Sequence, residues 1–125
     1  MDLLLDTHAL IWAAISPEKL SARVTELLLA KSSNLFLSPI SLWEIAIKNN
    51  IGKSDINFNV LLRHVSNLDV TMIQMENEHF ETLLNLPNIH KDPFDRYLVS
   101  LAITEKMTII TADENIQRYD VSCVW

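Results

Sequence analysis

The chain has 125 residues, of which 49% are hydrophobic, so it can form one domain with one core and is too apolar for a disordered protein. Its formal net charge of −6 argues against a protein that binds nucleic acid on a broad basic face, but not against a nuclease whose bound cations invert the local field. The single glycine, Gly52, excludes glycine-rich phosphate loops, and the single cysteine, Cys123, excludes an internal disulfide and a cysteine zinc cluster.

Short apolar runs alternate with helical patterns along the chain, which is typical of an α/β fold with a mainly parallel sheet flanked by helices. The patterns predict strands over 2–5, 34–37, 70–73, 108–111 and 121–125. They predict helices over 7–15, 20–31, 39–50, 58–66, 76–85 and 93–106, and a helical turn over 113–118. Ser38 and Pro39 form a strong helix start, and Gly52 is the expected stop of the same helix.

Nothing in the sequence predicts a membrane segment or a leader. No apolar run approaches the roughly 20 residues that a spanning helix needs, and Asp2 and Asp6 lie where a signal peptide would be basic. We therefore expect a single soluble, cytoplasmic domain over residues 1–125, with Cys123 as a small buried hydrophobe in the last strand.

Four acidic residues are predicted to meet at one edge of the sheet. Asp6 and Asp113 each follow a buried strand, Asp95 lies in the first turn of the helix before the fourth strand, and Glu44 lies within the helix that starts at Pro39. Ligands of open α/β sheets bind beyond the carboxyl ends of the strands. Because clustered carboxylates repel one another and resist desolvation, this pattern indicates a hard divalent metal and chemistry on phosphate.

Each acid also has a structural interpretation. Asp6 and Asp113 could cap the helices that follow them, and Glu44 could pair with Lys48 one turn later. Asp92 and Asp95 resemble a capping box, with Asp92 as N-cap and Asp95 pointing inward. Capping and metal binding are compatible, because an acid at a helix N-terminus can also face a cation.

The histidines are less informative. His8 lies on an apolar face and is expected in the core or at its edge, whereas His90 could contact a substrate phosphate. His64 and His79 are expected to be solvated. A zinc site is not indicated without a Cys–His spacing, and the absence of a G-x-S-x-G elbow argues against a serine triad.

Four segments carry a resemblance to a known family: LLLDTHALIWA, SPISLWEIAIKNNIGK, HKDPFDRYLVSLAI and TIITADENIQRYDV. Together they resemble the PIN-domain ribonucleases and, more narrowly, the VapC-type toxins of bacterial toxin–antitoxin modules. The resemblance covers nearly the whole chain. It implies a parallel sheet flanked by helices, a homodimer, cleavage of RNA that depends on Mg²⁺ or Mn²⁺, and inhibition by a co-expressed antitoxin.

Matched position by position, the family's acidic cluster falls on Asp6, Glu44, Asp95 and Asp113, which would bind metal and activate water jointly. Asp95 is chosen over Asp92 because the family places an Asp seven residues before a small residue, here Ala102; Asp92 remains an auxiliary acid or helix cap. Thr111 is expected to orient the last acid. The possible contacts to RNA backbone are Lys48, Lys53, Lys91 and Arg96, each of which could equally be solvated surface charge.

Two other functions fit parts of the pattern. A receiver-like signalling domain would share the length and an acidic Mg²⁺ pocket, and a non-catalytic binding domain would use the acids as caps. The helices over 7–15 and 20–31 carry an apolar set that is expected in part to line a groove for the antitoxin, although it could all be core: Trp12, Leu20, Val24, Leu27 and Leu28. Residues of helix 76–85 are expected in a dimer interface.

Overall fold

A computed structural model describes residues 1–125 and contains one five-stranded sheet in which every pairing is parallel. The strands are β1 (Asp2–Leu5), β2 (Asn34–Leu37), β3 (Val70–Met72), β4 (Thr108–Ile110) and β5 (Cys123–Val124). The helices are α1 (Thr7–Ile15), α2 (Ala22–Leu29), α3 (Pro39–Asn50), α4 (Phe58–Asn67), α5 (Asn77–Leu84), α6 (Pro93–Glu105) and α7 (Glu114–Gln117). The predicted fold class, a parallel α/β sheet flanked by helices, is confirmed.

The order of the strands across the sheet is β3-β2-β1-β4-β5. The chain leaves β1 toward β2 and β3, then returns to the other side of β1 for β4 and β5, so the order reverses between β1 and β4. Residues that follow these two strands therefore lie at a topological switch point, where open α/β sheets bind ligands. The receiver-like alternative is wrong, because receiver domains have the order 2-1-3-4-5.

The core lies on both faces of the sheet because side chains alternate along each strand. Leu3 and Leu5 pack with α1, α2 and α4 on one face. Leu4 packs with α6 and α7 on the other. All three leucines of β1 are fully buried, and each such side chain contributes roughly 1.5–3 kcal/mol through removal from water. The central strand is thereby held rigidly, and so is the residue that follows it.

Two elements are shorter than predicted. The helix predicted over 20–31 is shorter, because Ser21 Oγ accepts a hydrogen bond from the Val24 N–H (3.0 Å) and starts α2 at Ala22, after a 3₁₀ turn over Pro17–Lys19. The strand predicted over 121–125 pairs only through Cys123 and Val124, and Cys123 is half-buried rather than buried.

The prediction for His79 is also wrong. His79 is fully buried, whereas His64 on α4 is exposed as expected. The ring of His79 accepts a hydrogen bond from the Glu76 backbone N–H at the start of α5 and lies 3.1 Å from both Tyr97 Oη and Glu105 Oε1 on α6. This polar network joins the two helices, so the histidine is structural. None of the helices has the length and apolarity needed to cross a membrane.

Candidate active site

Asp6 and Asp113 lie side by side at the carboxyl ends of β1 and β4. The Asp6 N–H donates to the Ile110 carbonyl (3.2 Å), so the pairing of β1 with β4 extends as far as Asp6. Asp6 is 3% exposed, and its Oδ1 accepts from the Ala9 N–H (2.8 Å) to cap α1. Asp113 caps α7 by accepting from the Asn115 N–H (2.8 Å) and from the N–H of the next residue. The predicted caps are therefore present, and they hold both carboxylates in place.

Glu44 reaches the same edge from α3. It is 3% exposed, and its Oε1 accepts a hydrogen bond from the Thr7 hydroxyl (2.7 Å) in the first turn of α1. Its Oε2 lies 2.6 Å from Lys48 Nζ, so the predicted one-turn ion pair is also present. Thr7 directly follows Asp6 in the chain. The threonine therefore ties the acid on α3 to the acid at the end of β1.

Asp92 and Asp95 have different roles at the start of α6. The Asp92 Oδ1 accepts from the backbone N–H groups of Phe94 (2.9 Å) and Asp95 (3.0 Å), as the N-cap prediction required. The reciprocal half of a capping box is absent, because the Asp95 carboxylate accepts from His90 Nε2 (3.2 Å) instead of from the Asp92 backbone. Asp95 is therefore oriented by a loop histidine, and its carboxylate remains partly exposed.

The electrostatics show that these carboxylates influence one another. Burial raises the pKa of Asp6, and the nearby Asp113 carboxylate raises it further against an opposing hydrogen bond from Thr111. The pKa of Asp95 is raised from 3.8 to about 7, chiefly by burial and then by the charges of Asp92, Asp113 and Glu44, against an opposing hydrogen bond from His90. The charged forms of these acids are therefore destabilised in the absence of a cation.

The donor set fits a hard divalent cation in chemistry. All its members are carboxylates, and the protein already places the Lys48 ammonium among them: its hydrogen bond to Glu44 raises the pKa of Lys48, and Asp92 and Asp95 add to the effect. However, no group of three or more Asp, Glu, His or Cys side chains is arranged to hold a metal ion. The helix caps and His90 each occupy one carboxylate oxygen, and Thr7 and Lys48 occupy both oxygens of Glu44. Binding of a metal ion would therefore require side-chain rearrangement.

Basic residues flank the acids on one side. A cavity of about 210 Å³ is lined by Asp6, Asp113, His8 and Trp12. A neighbouring cavity of about 290 Å³ shares His8 and contains Lys48 and Lys53. His8 was expected in the core or at its edge, but this expectation is wrong, because His8 is exposed in the first turn of α1. We refer to these two cavities, which share His8, as the cleft; Asp6 and Asp113 line one of them and the two lysines line the other.

Neither of the other two candidates for RNA contact lines these cavities. Lys91 is exposed in the loop before α6. Arg96 makes internal hydrogen bonds through Nη1 to the Pro87 carbonyl (2.9 Å) and to Tyr119 Oη (2.9 Å). The Arg96 guanidinium therefore holds the loop that precedes Asp95, and Lys48 and Lys53 are the two candidates that line the cleft.

The sequence patterns missed two residues that shape the site. Thr7 was only part of the quoted D-T-H motif, and its position after Asp6 was the available signal. Tyr119 is 4% exposed and lies 2.7 Å from His90 Nδ1, but nothing in the sequence pattern marks it as part of the site. Thr111 was expected to orient the last acid, and its hydroxyl does accept from the Asp113 N–H (3.0 Å).

Comparison with known proteins identifies the family. A family model described as PIN domain matches residues 3–122, almost the whole chain. The chain belongs to the PIN-domain family. The predicted family and the PIN-like fold are thereby confirmed. No curated protein is significantly similar to this PIN domain in sequence.

Three solved structures are similar to this PIN domain at low identity. VapBC2 from Rickettsia felis, bound to a DNA fragment from its promoter, has a TM-score of 0.75 at 19% identity and covers 99% of this chain and 98% of that chain. VapBC-1 from nontypeable Haemophilus influenzae has a TM-score of 0.64 at 18% identity, covering 99% and 97%. A domain of a protein of unknown function from Methanocaldococcus jannaschii has a TM-score of 0.59 at 13% identity, covering 99% and 89%. These likenesses show a shared fold.

Proposed function

We propose that this PIN domain is a metal-dependent endoribonuclease that acts as the toxin of a toxin–antitoxin pair. One observation carries the proposal: Asp6 and Asp113 lie at the switch point of the sheet, Glu44 and Asp95 approach the same edge, and the charged forms of Asp6 and Asp95 are destabilised in the absence of a cation. A binding domain that used its acids only as caps would have no need to bury Glu44 and partly bury Asp95 beside two capping carboxylates. The cofactor that fits these oxygen ligands is Mg²⁺ or Mn²⁺.

Neighbouring groups in the protein would hold each of the four carboxylates in place. Asp6 and Asp113 are fixed by the caps of α1 and α7, Glu44 by Thr7, and Asp95 by His90. When bound, a divalent cation would supply Lewis-acid activation of water and neutralisation of charge at the scissile phosphate. Lys48 would exchange Glu44 for an RNA phosphate, and Lys53 would bind a neighbouring phosphate along the cleft. The product would be RNA cut by hydrolysis of one phosphodiester bond.

The assignment as a toxin rests on the structural neighbours. Two of the similar structures are VapBC complexes, whose chains match nearly the whole length of this domain. A toxin of this kind is kept inactive by a cognate antitoxin that is produced with it. The negative net charge of −6 fits a basic antitoxin segment, whose cationic side chain could enter the carboxylate cluster as Lys48 already does.

Expression of the chain in bacteria tests the nuclease and the toxin proposals together. Induced expression is expected to stop growth and to create discrete new RNA 5′ ends that sequencing can map. Co-expression with the product of a short basic open reading frame directly upstream is expected to restore growth and yield an inactive complex. New RNA ends without growth arrest would support the nuclease and reject the toxin. The absence of new RNA ends would reject both.

Two exposed apolar surfaces are suited to protein partners. The first surrounds a cavity of about 270 Å³ between α1, α2 and the end of α4, with Leu20, Leu28 and Leu29 in its lining. The second lies on α5, where Phe80 and Leu84 are exposed one turn apart. We assign the first to the antitoxin and the second to the homodimer. Val24 belongs to neither surface because it is fully buried in the core.

Matched substitutions of two exposed leucines separate these surfaces. Leu29 is 78% exposed on α2 and Leu84 is 84% exposed on α5, so neither change should alter the stability of the monomer by more than about 0.5 kcal/mol. Leu29→Asp is expected to weaken antitoxin binding by at least about tenfold, because it buries an unpaired charge in the apolar groove. Leu84→Asp is expected to convert the dimer to a monomer that still binds antitoxin.

Calorimetry and light scattering measure the two effects. The reverse pattern, in which Leu84→Asp weakens the antitoxin complex and Leu29→Asp dissociates the dimer, would show that the two surfaces have been exchanged. Wild-type behaviour of both variants would show that neither surface binds a partner.

A further inference from the structure

His90 lies outside the four-carboxylate cluster, in the loop before α6, yet it is the only group that donates a hydrogen bond to the Asp95 side chain. Its Nε2 lies 3.2 Å from Asp95 Oδ2, and its Nδ1 lies 2.7 Å from Tyr119 Oη. The ring also packs edge-on against the Tyr119 ring, with the centroids 5.4 Å apart. His90 is thus hydrogen-bonded through both ring nitrogens, whereas the Asp95 side chain is hydrogen-bonded through one oxygen.

The direction of these hydrogen bonds follows from the groups at the two ends, Arg96 and Asp95. The Arg96 Nη1 lies 2.9 Å from Tyr119 Oη, and a guanidinium can only donate. The tyrosine oxygen therefore accepts from Arg96, which leaves its own hydrogen free to point to His90 Nδ1. In the ionised form that would bind a cation, the Asp95 carboxylate can only accept, so His90 carries a proton on Nε2 and donates it to Asp95. The four side chains form one chain of donors that ends on the carboxylate.

The anchor of this chain is rigid. Tyr119 is buried, and the Arg96 guanidinium lies 6.0 Å from the centre of the Tyr119 ring as well as on its hydroxyl. Arg96 also donates hydrogen bonds to the backbone carbonyls of Pro87 and His90, so the same side chain holds the loop that carries His90. A histidine held in this way can present a hydrogen bond of constant direction.

We infer that His90 is a positioning residue, which holds one oxygen of Asp95 so that the other faces the carboxylate cluster and a divalent cation. The inference rests on the proposed function. It assigns the Arg96–Tyr119–His90 chain to the orientation of a metal-binding carboxylate, and it replaces the expectation that His90 contacts a substrate phosphate. Loss of such a supporting hydrogen bond typically weakens metal affinity by about 10- to 100-fold.

Two substitutions of His90 isolate this hydrogen bond. A glutamine amide nitrogen reaches about as far as histidine Nε2, whereas an asparagine amide reaches only about as far as Nδ1. His90→Gln can therefore still donate to Asp95, and His90→Asn can bond only to Tyr119. Both variants lose the ring and its packing, and each keeps a different one of the two hydrogen bonds of His90, so their comparison shows whether the bond to Asp95 is the one that matters. His64→Asn on the exposed face of α4 serves as the control.

The measurement is the dissociation constant of Mn²⁺ from each purified, metal-free variant, by calorimetry, with the melting temperature as a check on folding. His90→Asn is expected to weaken Mn²⁺ binding by about 10- to 100-fold and His90→Gln by less than about threefold. Tyr119→Phe is expected to weaken it as well, because the ring loses the donor that orients it. In cleavage assays, His90→Asn should lower kcat and leave KM for RNA unchanged.

Several outcomes would overturn the inference. Equal losses in His90→Gln and His90→Asn would show that the ring matters only through packing, and wild-type affinity in His90→Asn or in Tyr119→Phe would show that the hydrogen-bonded chain orients nothing. A rise in KM with kcat unchanged would make His90 an RNA contact. If the wild-type protein itself binds no Mn²⁺, the proposed function fails together with the inference.

Discussion

Conversion of any one of the four clustered acids to its amide is expected to reduce RNA cleavage by at least about 100-fold, while the protein still folds. The variants are Asp6→Asn, Glu44→Gln, Asp95→Asn and Asp113→Asn. Each amide keeps an oxygen that can accept the structural hydrogen bond, and Asn caps a helix about as well as Asp. The substitutions therefore remove the negative charge but leave the caps of α1 and α7 and the Thr7–Glu44 contact in place.

Rates of cleavage of an RNA oligonucleotide and thermal unfolding curves check this prediction. The melting temperatures of the metal-free Asp6 and Asp95 variants should equal or exceed that of the wild type, because burial and neighbouring charges disfavour the ionised acids. The matched control is Asp92→Asn, which changes a carboxylate that caps α6 and is expected to retain activity within about threefold. Near-wild-type cleavage by two of the four variants would reject the assignment. An inactive Asp92→Asn would show that Asp92, and not only Asp95, is needed for cleavage and that the choice between the two acids is wrong.

Removal of divalent cations is expected to abolish cleavage. EDTA should stop the reaction, Mg²⁺ or Mn²⁺ should restore it, and Ca²⁺ should support it poorly because its looser coordination would misplace the attacking water. Addition of Mg²⁺ should also raise the melting temperature, since the ion binds the folded site and not the unfolded chain. Undiminished cleavage in EDTA would instead indicate a metal-free mechanism, with His8 and His90 as the first residues to test.

The dependence of folding stability on pH is expected to reveal the raised pKa values of Asp95 and Asp6. The pKa of Asp95 is raised from 3.8 to about 7 in the folded protein, so the folded state binds this proton more tightly than the unfolded chain. Its contribution to the stability of the metal-free protein is therefore fully present below pH 3.8 and is lost as the pH rises through about 7. The pKa of Asp6 is raised as well, which adds a change of the same sign.

Comparison with Asp95→Asn isolates this effect from all other titrations. The variant should gain stability relative to the wild type as the pH rises from about 4 to about 7, and then show a constant difference. Stabilisation of the wild type by Mg²⁺ should increase over the same range, because the ion binds the deprotonated carboxylate. A difference between the two proteins that is independent of pH would show that Asp95 has no raised pKa.

The sequence by itself determined the fold class and which residues to examine. Apolar runs of strand length alternate with helical periodicity, and this order alone requires a parallel sheet with helical crossovers. The same patterns located the helix caps at Asp6, Ser38 and Asp92, because capping is a local interaction between neighbours in the chain. The i to i+4 pair of Glu44 and Lys48 was predictable for the same reason.

Only the tertiary structure decided which side chains share a hydrogen bond across the fold. The Thr7–Glu44 contact joins residues 37 positions apart, and the His90–Tyr119 contact joins residues 29 positions apart. The burial of His79 likewise depends on the packing of α5 against α6, because its partners Tyr97 and Glu105 belong to another helix. Periodicity predicts the face on which a residue lies, but it carries no information about what the neighbouring element places there.

The hydrogen-bond partners and pKa shifts of the carboxylates were also decided only by the tertiary structure. Spacing in the sequence predicted that Asp6, Glu44, Asp95 and Asp113 would meet at one edge, and the sheet order places the first and last of them beside β1 and β4. The sequence could not show that caps, Lys48 and His90 already hold an oxygen of each acid, or that burial raises the pKa of Asp95 to about 7. Desolvation and charge coupling depend on distances in three dimensions, which only the folded chain defines.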